Sequence, residues 1–170
     1  MNPQPIECVL GIDPGLMGAL AFLNPRDASL IGVIDMPTIR VTKTRKEYDV
    51  PEIVQYLTDV YDPVAAFIEK VGAMPGQGVT SMFRFGMGYG LLTGIVHGLG
   101  VPITHVRPRT WQGKMLRDAP KGTKGASVMR AKELWPRAPL VTPRGRLIDG
   151  RADAMLLARY GILHEMAPVS

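Results

Sequence analysis

The run Val9-Leu10-Gly11-Ile12 is apolar without a break and ends in Asp13-Pro14-Gly15. It reads as a buried strand, Glu7 to Asp13, that stops abruptly at a carboxylate and a turn, with Gly15 and Gly18 supplying backbone freedom. Ala19 to Leu23 returns as a second strand, and Ser29 to Met36 adds a third, completing an antiparallel meander. Downstream, Val64 to Glu69 repeats the pattern of an apolar run ending in an acid. A helix precedes it, so it is expected to be a buried parallel strand. A meander followed by strands alternating with helices confines the chain to an α/β fold around a mixed five-stranded sheet flanked by helices.

The remaining elements fit that frame. Asp49 as N-cap and Glu52 three residues on form a capping box for a helix reaching about Val60. Thr80 to Leu99 is a second helix, in which Gly86, Gly90, Gly94 and Gly98 line one stripe. Each glycine costs a helix about 1 kcal/mol relative to alanine, so the stripe implies close approach of another backbone. Tight packing inside the chain is the expectation, ahead of a seam between two copies. Pro102 to Val106 is the fifth strand, Arg107 to Leu116 a basic turn or short helix, and Ala126 to Leu134 and Ile148 to Leu163 are helices. Loops are expected over Thr38–Tyr48, Asp118–Gly125 and Pro136–Arg146. At 170 residues with 46% hydrophobic content, residues 1–170 are expected to form one domain with a sizeable core.

Charge is unevenly spread. Residues 1–106 hold 7 Lys/Arg against 10 Asp/Glu, a net −3, whereas residues 107–160 hold 13 against 4, a net +9. A concentrated basic region is the electrostatic footprint of a nucleic-acid binder. The lone Cys8 permits no internal disulfide and suits a reducing, cytoplasmic setting as a small buried hydrophobe. No signal segment opens the chain. The stretch Gly86 to Val96 is too short and glycine-rich for a membrane span.

Four acids stand out against this basic background. Asp13 and Glu69 fall at the C-terminal ends of their strands, where open α/β sheets place their sites. Asp149 and Asp153 are four apart and so share one helix face. Such hard oxygen ligands suit Mg²⁺ or Mn²⁺, and no Cys/His cluster suggests zinc. Two cations about 3.5–4 Å apart can activate a water and stabilise the leaving oxygen in phosphodiester hydrolysis. Taken singly, each acid has a plainer role. Asp13 can organise a turn, Glu69 can pair with Lys70 or Arg107, and Asp149 can cap a helix.

Gly11-Ile12-Asp13-Pro14-Gly15, Ile68-Glu69 and the late Asp149…Asp153-Ala154 helix together resemble the RuvC-like Holliday junction resolvases of the ribonuclease H-like superfamily. Gly76-Gln77-Gly78 through Phe85-Gly86, and Lys124-Gly125-Ala126-Ser127, are similar to that group as well. The resemblance runs from about Val9 to Tyr160. It implies a homodimeric, Mg²⁺-dependent endonuclease that nicks two strands of like polarity in a four-way DNA junction. By position it makes Asp13, Glu69, Asp149 and Asp153 the metal ligands, with two ions per site. It also supplies an assisting lysine, matched best by Lys124 and otherwise by Lys121, to stabilise developing phosphate charge. The two late aspartates are three apart in the bacterial enzyme and four apart here; either spacing keeps them on one face.

Other residues suit a branched-DNA partner. Arg107, Arg109, Lys114, Arg117, Lys121 and Lys124 bracket Trp111; the cations can neutralise phosphates, and the indole either stacks on an unpaired base or packs its helix onto the core. Arg40, Lys43, Arg45 and Lys46 form a second basic loop, placed to touch a DNA arm. Phe83 and Phe85 either wedge into a junction centre or pack at the start of the glycine-striped helix. His97 and His105 are isolated and read as structural. No Walker A pattern exists, and Gly86-Met87-Gly88-Tyr89-Gly90 lies inside a helix, so no nucleotide cofactor is expected. Three rival functions share these features: an actin-like or sugar-kinase-like ATPase, a branched-DNA-binding protein without catalysis, and a nuclease acting on RNA–DNA hybrids.

Overall fold

The computed structural model describes residues 4–70, 72, 76, 78–118 and 125–166. Strands β1 (Ile6–Asp13), β2 (Ala19–Leu23) and β3 (Leu30–Asp35) form the expected meander, and β6 (Tyr61–Glu69) and β7 (Ile103–Val106) extend it. The sheet order is β3-β2-β1-β6-β7, antiparallel across the meander and parallel from β1 through β6 to β7. β1 is therefore central, which explains why Cys8 through Ile12 are almost wholly buried.

Residues alternate between the two faces of a strand, and the core divides accordingly. Cys8, Leu10 and Ile12 pack with Leu20, Phe22, Ile68 and the helices α1 (Val50–Gln55) and α2 (Val79–Gly98). Val9, Ala19, Ala21 and Phe67 face the other way. There they meet α3 (Pro108–Met115), α4 (Ala126–Leu134) and α5 (Asp149–His164). The result is a sheet covered by helices on both sides.

α5 approaches β1 without intervening side chains. A Cβ at Gly11 would collide with the Ala154 carbonyl oxygen and come within 2.9 Å of Ala158. Small residues on both elements thus let helix and strand backbones touch. Further along, Gly161 leaves the room that the Phe67 ring occupies.

Several expectations change on inspection. Residues 38–48 are not an open loop but a hairpin, β4 (Thr38–Arg40) paired with β5 (Lys46–Tyr48). The Val41 amide donates to the Arg45 carbonyl at 2.9 Å where the two arms turn. Asp49 does cap α1, accepting from the Glu52 amide at 3.1 Å, but residues 56–60 continue as a π-helical turn and β6 starts earlier, at Tyr61. The Tyr61 ring lies flat on Phe22, with centroids 3.6 Å apart, which fixes that early start. The largest correction concerns the glycine stripe. Gly86, Gly90, Gly94 and Gly98 are exposed, and a Cβ at any of them would meet nothing within 4 Å. α2 buries Leu92 and Val96 instead, so the stripe serves no internal contact.

These two kinds of glycine predict opposite mutational outcomes. Gly11→Ala is expected to destabilise the protein by about 3 kcal/mol, because a rigid helix backbone must move. Gly113→Ala, likewise in open space on a helix but away from the α2 stripe, is expected to stabilise it by roughly 0.5–1 kcal/mol. Urea unfolding of both variants against the wild type checks the pair.

Candidate active site

Strand parity decides which acids can meet. Asp13 follows Val9 and Gly11 on the α5 side of β1, and Glu69 follows Phe67 on the same side of β6. Because Ile12 pairs with Ile68, the two acids leave adjacent parallel strands side by side. Asp149 and Asp153 come from the first two turns of α5, which the Gly11 contact presses onto β1. Gly150 completes the closure. A Cβ there would lie 2.8 Å from the Met17 carbonyl oxygen and 2.9 Å from Asp13 Oδ2. The turn after β1 bends sharply at Gly15, whose φ of 144° disfavours other residues.

The acids feel one another. Burial pushes Asp13 up to about 8, with the charges of Asp153 and Glu69 adding to the rise. Burial also raises Asp153, to about 6; a Ser127 hydrogen bond works against it, while Glu69 and Asp149 reinforce it. Glu69 is raised by burial and partly relieved by the Trp111 indole, which donates to its Oε1 at 2.9 Å. Asp153 Oδ1 is buried with no hydrogen-bond partner among the described residues. Among the described residues, no three acids are already drawn together as a cage for an ion. They are close enough for their charges to act on one another. An all-oxygen, anionic set with an orphaned buried oxygen is the donor chemistry that a hard divalent cation requires.

These acids border a cleft of about 640 Å³ at the C-terminal edge of β1. Asp13, Asp149 and Asp153 line it; Glu69 stands behind them against Trp111. The opposite wall is the start of α2, with Ser81, Arg84 and Phe85, and the rim carries Tyr48 and Arg146. Burial and the nearby charge of Asp13 raise the Tyr48 phenol, whose hydroxyl end rests over Gly88.

Other sequence candidates are placed less centrally. Phe85 lines the cleft, 3.6 Å from where a Gly15 Cβ would sit, whereas Phe83 is exposed outside it. Arg40, Lys43, Arg45 and Lys46 lie exposed on the β4–β5 hairpin, which reaches the cleft only through Tyr48. Arg107, Arg109 and Lys114 are exposed on or beside α3, outside the cleft lining. Lys121 and Lys124 lie outside the described residues, as does Gln77.

Core packing is the reading of Trp111 that holds, while the plainer readings of Glu69 and Asp149 are corrected. Trp111 is fully buried and bonded to Glu69, so it is no platform for a base. Glu69 accepts from that indole and forms no ion pair with Lys70 or Arg107 among the described residues. Asp149 is the first residue of α5 and Ile148 its N-cap, so the acid faces the positive end of the helix dipole without capping it. Arg84, Arg146, Tyr48 and Ser81 went unremarked in the sequence. The one available signal was Arg84, the single Lys or Arg in the twenty residues of α2.

The raised Asp13 value fixes the sign of a pH effect. Its proton is held more tightly in the fold than in the unfolded chain. The associated stability is therefore full below the ordinary value of 3.8 and is lost as pH rises through about 8. Without divalent metal, Asp13→Asn should melt above wild type at pH 8 by about 5 °C, a gain of roughly 2 kcal/mol. The gap should close near pH 4. Thermal melts in EDTA across that range measure it, and a pH-independent gap counts against an Asp13 carboxyl raised by its burial and its acidic neighbours.

No family model matches this chain, and no curated protein matches it in sequence. Solved structures match across most of its length. The Thermus thermophilus RuvC structure superposes with a TM-score of 0.54 at 17% identity, covering 90% of this chain and 94% of that one. T. thermophilus RuvC in complex with a Holliday junction substrate gives 0.55 at 16% identity, covering 88% and 89%. The yeast mitochondrial Holliday junction resolvase Ydc2 gives 0.53 at 15% identity, covering 94% and 80%. The chain therefore has a ribonuclease H-like α/β fold of the RuvC form.

Proposed function

We propose that this protein is a metal-dependent endonuclease that resolves four-way DNA junctions. The observation that carries the proposal is the convergence of Asp13, Glu69 and Asp153 from β1, β6 and α5. These buried carboxylates act on one another's ionisation beside a cleft lined by Arg84 and Arg146. Support for the branched substrate comes from the likeness to RuvC, which has been seen with a Holliday junction.

Asp13, Glu69, Asp149 and Asp153 would hold two Mg²⁺ ions, with Mn²⁺ able to substitute. Bound there, the ions supply activation of a water and stabilisation of the leaving oxygen. The protein's own groups do the rest. Trp111 orients Glu69 by its indole N–H and favours the carboxylate form. Arg84 and Arg146 can hold phosphates across the cleft from the acids. Phe85 lines the cleft beside Gly15, while Phe83 lies outside it on the exposed face of α2. The β4–β5 hairpin offers Lys43 and Lys46 to a duplex arm, and Lys124 or Lys121 is the assisting cation.

A homodimer belongs to this reading, since two symmetric cuts need two sites. The exposed face of α2 favours it. Val79, Phe83 and Met87 are 78%, 68% and 60% exposed there, beside glycines that leave open space. Such an apolar face suits a second copy.

Wild type with Mg²⁺ is expected to cut a synthetic four-way junction in paired, symmetric positions and to leave duplex and RNA–DNA hybrid intact. Asp13→Asn should lower cleavage at least about 10³-fold, as expected when charge stabilisation of the reacting phosphate is lost, while junction binding persists. Wild-type cutting by that variant would refute the site. Met87→Glu should shift sedimentation toward the monomer and turn paired cuts into uncoordinated nicks. Binding without any cutting would point instead to a protein that only holds branched DNA.

A further inference from the structure

Arg151 stands between Asp149 and Asp153 in sequence, yet its side chain is spent elsewhere. Nε donates to Asp35 Oδ1 at 2.7 Å, Nη2 to Asp35 Oδ2 at 3.0 Å, and Nη1 to the Pro139 carbonyl at 2.8 Å. The guanidinium is largely buried, its side chain 20% exposed, while Asp35 is 62% exposed. An ion pair this open to water adds little stability. What the paired fork does supply is direction, because two parallel bonds to one carboxylate fix the plane and angle of the guanidinium.

The strand register shows what that direction is for. Asp13 pairs with Ala19, and Ala19 with Asp35, so the three lie in one row across β1, β2 and β3. The first turn of α5 is thus held at both ends of that row. Gly150 is seated against Asp13 and the Met17 carbonyl, and Arg151 is anchored two strands away at Asp35. The bond to Pro139 ties in the segment that leads to the helix, where the Ile148 amide also donates to the Leu140 carbonyl at 3.0 Å. The N-cap, Ile148, has no side chain able to fasten this end of α5.

We propose that Arg151 is a positioning residue, whose clamp on Asp35 and Pro139 sets the rotation of α5 and so the placement of Asp149 and Asp153 opposite Asp13. The inference rests on reading those acids as a divalent-cation site. It also carries a sign that separates it from simple electrostatics. Arg151 is a cation close to anionic ligands, so as a mere charge its removal would tighten metal binding. As a clamp, its removal loosens the ligands and weakens binding.

The test is a calorimetric Mn²⁺ titration of the full chain at pH 8, well below the melting temperature, for wild type, Asp13→Asn, Arg151→Met and Arg151→Lys. Arg151→Met is expected to weaken Mn²⁺ binding about tenfold, the scale seen when a group that orients a metal ligand is lost. Arg151→Lys keeps the charge but not the fork, and is expected to fall between. Unchanged or tighter binding by Arg151→Met overturns the clamp. Should that variant fail to fold by circular dichroism, Arg151→Lys decides alone, and wild-type affinity there overturns it equally. A wild type with no saturable Mn²⁺ binding, or binding that Asp13→Asn leaves intact, removes the metal reading itself and the clamp with it.

Discussion

The contact between α5 and β1 is the constraint on which the rest of the structure depends. Gly11 admits the Ala154 carbonyl to a distance that any side chain would forbid, and Ala158 extends the close seam by one more turn. Asp153 precedes Ala154, and Asp13 lies two residues beyond Gly11 on the same face of the strand. The same packing that closes the core therefore brings the two most perturbed carboxylates together. A helix displaced by one side-chain layer would leave each acid with its own water and an ordinary ionisation. Core packing and site electrostatics are here a single geometric fact.

That fact stores an unfavourable interaction. Asp13, Glu69 and Asp153 are all held at raised values, and Asp153 keeps a buried oxygen with no partner among the described residues. Hydrogen bonding relieves it only in part, through Trp111 on Glu69 and Ser127 on Asp153. A fold selected for stability alone would replace such a group by apolar side chains. Keeping three repelling acids makes sense where a positive partner arrives, and the hydrophobic packing of Val9, Phe67, Trp111 and the middle of α5 supplies the stability that offsets them.

Much of this was legible in the sequence, for a definite reason. β1 from Cys8 to Ile12 and β6 from Ala66 to Ile68 are buried on both faces, so their apolar runs end where the sheet ends, and the acids at Asp13 and Glu69 mark that edge directly. Helical spacing was enough to put Asp149 and Asp153 together. The failures lie where spacing is silent. The glycines of α2 recur as regularly as packing glycines do, and only the assembled structure shows that the stripe faces open space. Residues 38–48 are polar enough to read as a loop, yet their pairing depends on Thr38 and Tyr48 meeting across a turn. Trp111 and Glu69 are 42 residues apart, and nothing local foretells that the indole will serve the carboxylate. Arg151 is a similar case, since its partner Asp35 lies 116 residues earlier and is named only by strand register.

The two faces of the sheet end up with unlike roles. On the α5 side, small residues draw helix and strand together until no freedom remains, which suits ligands that must be held to a fraction of an ångström. On the α2 side, Gly88, Leu92 and Val96 anchor the helix while the glycines at 86, 90, 94 and 98 and the large apolar side chains beside them stay uncovered. Yet α2 is not remote from the site, because its first turns contribute Ser81, Arg84 and Phe85 to the cleft wall. Anything that packs on the open face of α2 therefore bears on the same rigid element that faces Asp13. If a second copy is what packs there, assembly and cleft geometry are coupled through one helix, with no relay needed between them. The wall opposite the acids would then be set by the partner's grip as much as by the chain's own core.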